Sequence, residues 1–538
     1  MPGTLFLTCL FDACDLCREN FFGLDCSREG LPSSLRFHTH VLAAAAGAGL
    51  ALALPALYRR LRSAARASTR RGTATAASFT VSTACDVDTA VRGACARGLL
   101  TPASTLDDHP LGFFYDLDAY EACLASLRSA FPSHWLHATA VKTNPLAGLL
   151  RLSLAAGHGA ECASMGEVQH CMRLGFKGSA IVYDSPCKTR AELRFALEQG
   201  LHLNIDNMLE LERVRQLVEE LGGTEGASRG VIGLRINPLV GAGKVASLSV
   251  STRRSKFGVV LPPEDGPERE AVVEALCEAS FIDALHVHTG SGGMTLAQMA
   301  EGAGAATRLA AEVNARRRQR RAGAAPSISV IDIGGGLPVV WGSERQIGFD
   351  EYAAALREAA PALFDGSSFR RVVTEFGAVL NCQHAWCGAV VETTKPTDGG
   401  GMIAMIHAGS DLFMRQCYAP GMRAPHPVTA YEPDGTPKQG PSLAHDVAGP
   451  LCFGGDVVCP AVELPGPLSA GDIVVLHEAG GNCLSMATSH CSRRRPPVYG
   501  YRAVGTADTD PSGVRDGLCF TQLSSGTTLD QVLAVWAD

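Results

Sequence analysis

Lys142 closes the short apolar run His137-Ala-Thr-Ala-Val-Lys142 and is followed at once by Thr143-Asn144-Pro145. An ammonium is costly to bury. A lysine ending a strand-like run therefore either reaches back to water or serves carbonyl chemistry, where a desolvated amine is the nucleophile. Other short runs carry groups that would complement such an amine. Ile331-Asp-Ile-Gly-Gly-Gly-Leu-Pro338 places Gly334, Gly335 and Gly336 where bare backbone N–H groups can meet an anion. His286-Val-His288-Thr-Gly-Ser291 offers an imidazole that can lie against a flat ring and a hydroxyl that can donate to phosphate. Thr374-Glu375-Phe376-Gly377 supplies a carboxylate able to keep a ring nitrogen protonated. Gly449-Pro-Leu-Cys452-Phe453-Gly-Gly-Asp456 adds a cysteine that could act as acid or nucleophile. Each has a plain alternative: a snorkelling lysine, a glycine turn, a core histidine, a structural ion pair, or one thiol among nineteen.

The elements that must position these groups repeat one theme from residue 138 to 377. A short apolar strand ends in a polar or glycine signal, and an amphipathic helix follows. The strand candidates are Ala138–Lys142, Ala160–Ser164, Ala180–Ser185, Leu201–Asp206, Val231–Pro238, Ile282–Ser291, Ile328–Gly336 and Arg371–Gly377. Helical patterns such as Met165–Leu174, Arg190–Gln199 and Met208–Leu221 lie between them. Eight such units predict an α/β fold, a closed (β/α)8 TIM-type barrel whose strand ends converge on one face. Lys142, Ser164, Asp206, Arg235, His288, Ser291, Gly334 to Gly336 and Glu375 would then become neighbours. After about residue 385 the runs turn Val/Ile-rich and are separated by turns such as Pro433-Asp-Gly435, which predicts a C-terminal, mostly-β domain over 385–538. One or more strands within 86–112 are expected to join it, leaving 113–384 for the barrel.

Net charge is −7, which argues against a nucleic-acid binder. The one basic run, Arg316 to Arg321, suits a solvated helix C-terminus. Cys9, Cys14, Cys17 and Cys26 hold a single C-x-x-C pair with no second pair, short of a zinc signature; no metal is expected, and most cysteines read as reduced thiols. Residues 1–85 differ from the rest. Val41–Leu57 is continuously apolar, and six arginines follow it before any acidic residue. Membrane anchoring through 41–57 with a cytosolic catalytic domain, or a two-part plastid targeting signal, accounts for this pattern.

Together the motifs resemble the ornithine/diaminopimelate/arginine decarboxylase family, the fold-type-III pyridoxal-phosphate carboxy-lyases. The resemblance runs from about Phe113 to Arg502. It is carried by Ala140-Val-Lys142-Thr-Asn144, Glu161-Cys-Ala-Ser164-Met-Gly-Glu167, Arg235-Ile-Asn-Pro238 with Ser255-Lys-Phe-Gly258, and Asp411-Leu-Phe-Met-Arg415. The third and fourth are most similar to diaminopimelate decarboxylases. The resemblance implies decarboxylation of an α-amino acid through a Lys142 Schiff base with pyridoxal 5'-phosphate. His288 would stack on the ring, Glu375 would face its nitrogen, and Ser291, Gly334, Gly335, Gly336, Gly377 and Asn482 would surround the cofactor. Arg415, Tyr418 and Phe453 would meet the substrate, and Arg415 would hold its carboxylate. Cys452 would deliver a proton across the interface of a homodimer with shared active sites. A catalytically silent binding protein and a racemase on the same fold are the alternatives. Three positions depart from the family pattern. Ala378 replaces an arginine phosphate ligand, Asn482 replaces a tyrosine, and Phe453 replaces the acidic residue that recognises a distal amine. The departures predict weaker phosphate anchoring and an altered substrate or binding pose.

Overall fold

The computed structural model describes residues 86–223, 230–320, 327–342, 345–419, 425–504 and 516–537. Eight short parallel strands form the first sheet: β2 (Trp135–Ala140), β3 (Gly159–Cys162), β4 (Ile181–Asp184), β5 (His202–Ile205), β6 (Ile232–Asn237), β8 (Ala284–Val287), β9 (Val330–Asp332) and β10 (Arg371–Thr374). Their order is β5-β4-β3-β2-β10-β9-β8-β6, and a further β5–β6 pairing closes the ring. The two-residue β7 (Val259–Val260) adds to β6 outside the ring. All eight expected strands are present, trimmed at their carboxyl ends. Lys142 is not in β2; it lies in the single 3-10 turn Val141–Thr143 that follows.

Period-two alternation sorts each strand's side chains between the barrel interior and the helices outside. Ala138, Val182, Ala284, Val330 and Val373 form a small apolar cluster, nearly or wholly buried. Two residues further along their strands, and so on the same side, come Asp184, His286, Asp332 and Glu375, all buried. The apolar plug is thus capped by a polar layer on the face where the loops converge.

The polar residues at strand ends divide into two groups. Ser164, Thr189 and Asn207 each accept a hydrogen bond from a first-turn N–H of the helix that follows, respectively Glu167, Glu192 and Glu210. Asp206 accepts from the Gly258 N–H at 3.1 Å. Ser164 and Asp206, expected at the site, therefore hold loops instead. The basic run also differs from expectation at one position. Arg317 is buried and donates to the carbonyls of Leu276, Ala279 and Ile282, capping the neighbouring helix Pro267–Glu278, while Arg316 and Arg320 pair with Glu270 and Glu274.

The second sheet is built from β1 (Leu111–Asp116), β11 (Ala385–Pro396), β12 (Met402–Ile406), β13 (Val428–Tyr431), β14 (Ser442–Ala448), β15 (Val457–Pro465), β16 (Ile473–Leu476), β17 (Val498–Ala503) and β18 (Leu518–Ser524). Its main order is β15-β14-β12-β11-β1-β17-β18. β1 therefore sits in the middle, antiparallel to β11 and parallel to β17. It runs to Asp116, past the expected boundary at 112, and residues 87–96 before it are a helix rather than strand. The fourteen described cysteines are all free thiols. Among the described residues no helix is long and apolar enough to cross a membrane. The apolar 41–57 run and the Cys9–Cys26 cluster lie outside the described residues.

Candidate active site

A cavity of about 360 Å³ opens at the carboxyl ends of the barrel strands. Lys142, His288, Ser291, Gly336, Glu375, Gly377, Arg415 and Asn482 line it, so most of the expected site residues come together. Gly334 and Gly335 are not among its lining residues. Cys452, Phe453 and Tyr418 are not among the residues that line it. Cys452 is exposed, and Phe453 stacks on Tyr418 with ring centroids 4.9 Å apart and planes within 6°.

Lys142 is held from two sides. Its turn is pinned by the second sheet: the Thr143 carbonyl accepts from the Asn482 N–H and the Ser485 hydroxyl, both at 3.0 Å. The Asn144 amide donates to the Tyr115 hydroxyl and the Gly480 carbonyl, both at 2.8 Å. Asn482 is in the left-handed region, φ 58°, a conformation asparagine tolerates better than most residues. Inside the cavity, Lys142 Nζ donates to Glu161 Oε1 at 2.6 Å, while half of the side-chain surface stays open. Withdrawal from water works against the ammonium. The carboxylates of Glu161, Glu375 and Asp184 outweigh it and hold the amine above the ordinary lysine range. Burial, with Glu375 and Asp184 nearby, pushes Glu161 up to about 7 against the pull of Lys142. A proton acceptor that titrates near neutrality thus touches the amine.

Glu375 is the last of a chain of charges. Arg235 Nη1 donates to Asp184 Oδ2 at 2.8 Å. His286 stands between the two carboxylates, Nδ1 3.5 Å from Asp184 Oδ1 and Nε2 3.6 Å from Glu375 Oε2. Burial opposes its charge, but the two flanking anions hold its pKa well above the usual histidine value. Burial would likewise raise Glu375; the His286 imidazolium instead brings it down to about 2. His286 turns a different nitrogen to each carboxylate and so links Asp184 to Glu375 through one charged ring. Asp332, deep in the same layer, is raised well above the carboxylate range by burial and by Glu375.

The neutral form of His288 follows from its contacts. Its Nδ1 accepts from the Gly335 N–H at 3.1 Å, so Nε2 carries the proton and faces the Ser291 hydroxyl at 3.2 Å. Burial and the Arg235 charge hold its pKa at about 3. Gly334 donates to Asp332 Oδ1 at 3.0 Å. Two of the three glycine N–H groups expected to meet an anion are therefore engaged within the protein, and only Gly336 lines the cavity. The glycines are required for another reason as well: a Cβ at Gly335 would fall 2.1 Å from the Glu375 carbonyl oxygen, and one at Gly336 1.8 Å from that of Gly290.

Glu161, Asp184 and His286 were not singled out as site residues from sequence. Glu161 and His286 lay inside quoted motifs, and Asp184 lay inside the strand candidate Ala180–Ser185; for Asp184 and His286 the i+2 relation to the apolar plug was the available signal.

Two family models cover most of the barrel and much of the second sheet: the pyridoxal-binding domain of pyridoxal-dependent decarboxylases over residues 118–381, and the C-terminal sheet domain of the same enzymes over 382–480. The chain belongs to the pyridoxal-dependent decarboxylase family. A diaminopimelate decarboxylase of Pseudomonas fluorescens is 30% identical over 362 residues, covering 66% of this chain and 79% of the relative. One from Pseudomonas aeruginosa is 28% identical over 365 residues, with the same coverage. The crystal structure of the Helicobacter pylori diaminopimelate decarboxylase complexed with L-lysine shares the fold, with TM-score 0.66 and 22% identity over 80% of this chain and 97% of that one.

This pyridoxal-dependent decarboxylase is a carboxy-lyase acting on an amino acid, and its residues fit pyridoxal phosphate. The buried Glu375 Oε1 has no hydrogen-bond partner among the described residues, as an acceptor reserved for a ring N–H would have. When bound, pyridoxal phosphate supplies the electron sink for the pair left at Cα as CO2 departs. Glu375, kept ionised by His286, is suited to hold a proton on the ring nitrogen. His288 offers a neutral face, Lys142 an amine for carbonyl attachment, and Glu161 a carboxylate that positions that amine.

Proposed function

We propose that the substrate is an α-amino acid of the diaminopimelate class, decarboxylated with Cys452 returning the proton to Cα from the other subunit of a homodimer. The diaminopimelate decarboxylases to which the chain is similar carry the substrate reading. The cavity supports it. Besides Lys142 and Arg415 it is lined by Arg235 and Lys256, both lying over the Phe257 ring, and these cations suit a second carboxylate. Ornithine and lysine end in an ammonium alone, which these cations would repel, whereas diaminopimelate ends in a carboxylate as well. A CO2-release screen tests this directly. Turnover of meso-diaminopimelate above that of lysine, ornithine and arginine is expected; preference for any of these three would refute the reading.

The dimer rests on Cys452. It is exposed and outside its own chain's cavity, yet its turn is well built: Asp456 accepts from the Leu451 and Ser410 N–H groups at 2.7 and 2.5 Å. A proton donor so placed serves a neighbouring copy. Residues 1–85 are proposed to direct the enzyme to a plastid or a membrane. Fusing them to a fluorescent protein and following its location would test that.

A further inference from the structure

The chain leaves β16 at Leu476 and crosses to the barrel through residues 477–482. The backbone of this crossing is tied down at intervals. The His477 N–H donates to the Pro427 carbonyl at 2.9 Å, that of Ala479 to Ala385 at 2.9 Å, that of Gly480 to Cys382 at 3.1 Å and that of Asn482 to Thr143 at 3.0 Å. The turn out of the sheet falls at Glu478, whose φ of 58° lies in the left-handed region. Asn482 ends the crossing at the same φ. Asparagine tolerates that region, whereas a glutamate is strained there and glycine would take it without strain. A glutamate kept in this conformation is expected to use its side chain. It does: the Gly342 N–H donates to Glu478 Oε1 at 3.0 Å. Gly342 ends the loop that begins at the triple glycine. Gly336 of that loop lines the main cavity, and Pro338, Val339 and Trp341 wall a hollow of about 210 Å³ beside it. A second contact spans the same gap. Trp341 meets the His426 ring edge-on at 5.7 Å, and His426 Nδ1 donates to the His477 carbonyl at 2.7 Å.

We propose that Glu478 is a positioning residue that latches the loop after the triple glycine to the segment clamping the Lys142 turn, and so fixes Lys142 against Gly336 across the cavity. Glu478 lines neither hollow, so it acts only through these two loops. The inference rests on the pyridoxal phosphate reading of the site. Two variants of the full-length protein test it. Glu478→Asn suits the left-handed turn but is one methylene too short to hold Gly342. Glu478→Gln keeps both the reach and the acceptor oxygen. Three quantities are compared with wild type: the rate at which the imine absorbance band appears on adding pyridoxal phosphate, acrylamide quenching of Trp341, and Tm. The quenching is taken as the difference from matching proteins carrying Trp341→Phe. Glu478→Asn is expected to slow uptake about tenfold and to raise Trp341 quenching. Its Tm should stay within about 2 °C of wild type, because relief of backbone strain offsets the lost hydrogen bond. Glu478→Gln should stay within about twofold of wild-type uptake, with unchanged quenching. Uptake by Glu478→Asn within twofold of wild type, or slower uptake with unchanged quenching, would overturn the latch. So would Glu478→Gln behaving like Glu478→Asn. A Tm loss above about 5 °C in Glu478→Asn would overturn it in favour of a purely structural role. A wild type that shows no imine band would instead overturn the cofactor reading, while Trp341 quenching still reports on the latch.

Discussion

Replacing His286 with glutamine removes the positive charge that separates Asp184 from Glu375 while keeping a polar side chain of similar reach. In the native site Glu375 is fully enclosed, and burial alone would carry its pKa above 4.5; His286 brings it to about 2. That displacement corresponds to about 3 kcal/mol favouring the carboxylate. Without it, Glu375 takes up a proton at mildly acidic pH and no longer holds one on the ring nitrogen. If the whole interaction serves the rate-limiting charge development, kcat falls about a hundredfold. The sign of the pH effect is also fixed. Wild-type Glu375 is ionised at every pH above about 2, whereas in His286→Gln activity falls as pH drops through the raised pKa. Stopped-time CO2 release across pH 5 to 9 with saturating cofactor measures both. A variant with kcat within twofold of wild type and no new acid limb would refute the relay.

Other outcomes follow from the same geometry. Lys142→Ala is expected to purify without the imine absorbance band and to release no CO2 above background, while keeping its fold, since the turn's anchors run through Thr143 and Asn144. Glu161→Gln removes the carboxylate that does most to hold the Lys142 ammonium, so the amine's pKa should fall and cofactor uptake should reach its plateau at lower pH than in wild type, as rapid-mixing absorbance would show. Mixing inactive Lys142→Ala and Cys452→Ala proteins should restore about a quarter of wild-type activity, because only mixed dimers contain one intact shared site; no recovery would count against sharing. Lys188→Met strips the partner from buried Glu210 and should cost about 3–5 kcal/mol in unfolding experiments, lowering Tm.

The barrel was legible because its signals are local. Eight apolar runs with polar endings, and caps such as Ser164 and Thr189, announce strand and helix without reference to the rest of the chain. What escaped was pairing between distant layers. Nothing near Glu375 in sequence says that His286 will face it, or that Asp184 will balance His286 from the other side. The triple glycine shows the same limit. Its composition suggested three anion donors, but whether an N–H faces a cavity or another loop depends on how closely β8, β9 and β10 deliver their ends, and here two of the three face inward. Arg317 was misplaced for a related reason: a run of arginines looks uniformly solvated until a neighbouring helix end arrives to claim one of them.

The central position of β1 in the second sheet bears on how the enzyme is made. This strand leaves the ribosome before any part of the barrel, yet its neighbours β11 and β17 begin only at residues 385 and 498. The barrel can gather strand by strand during synthesis, whereas the sheet stays open until almost the whole chain is available. Tyr115 and the 480–485 loop, which fix the turn carrying Lys142, are joined only by that late closure. The amine is thus set in its working position last, so a nascent chain holds a formed barrel before it holds a reactive lysine, and a fragment ending at residue 384 would lack the clamp altogether.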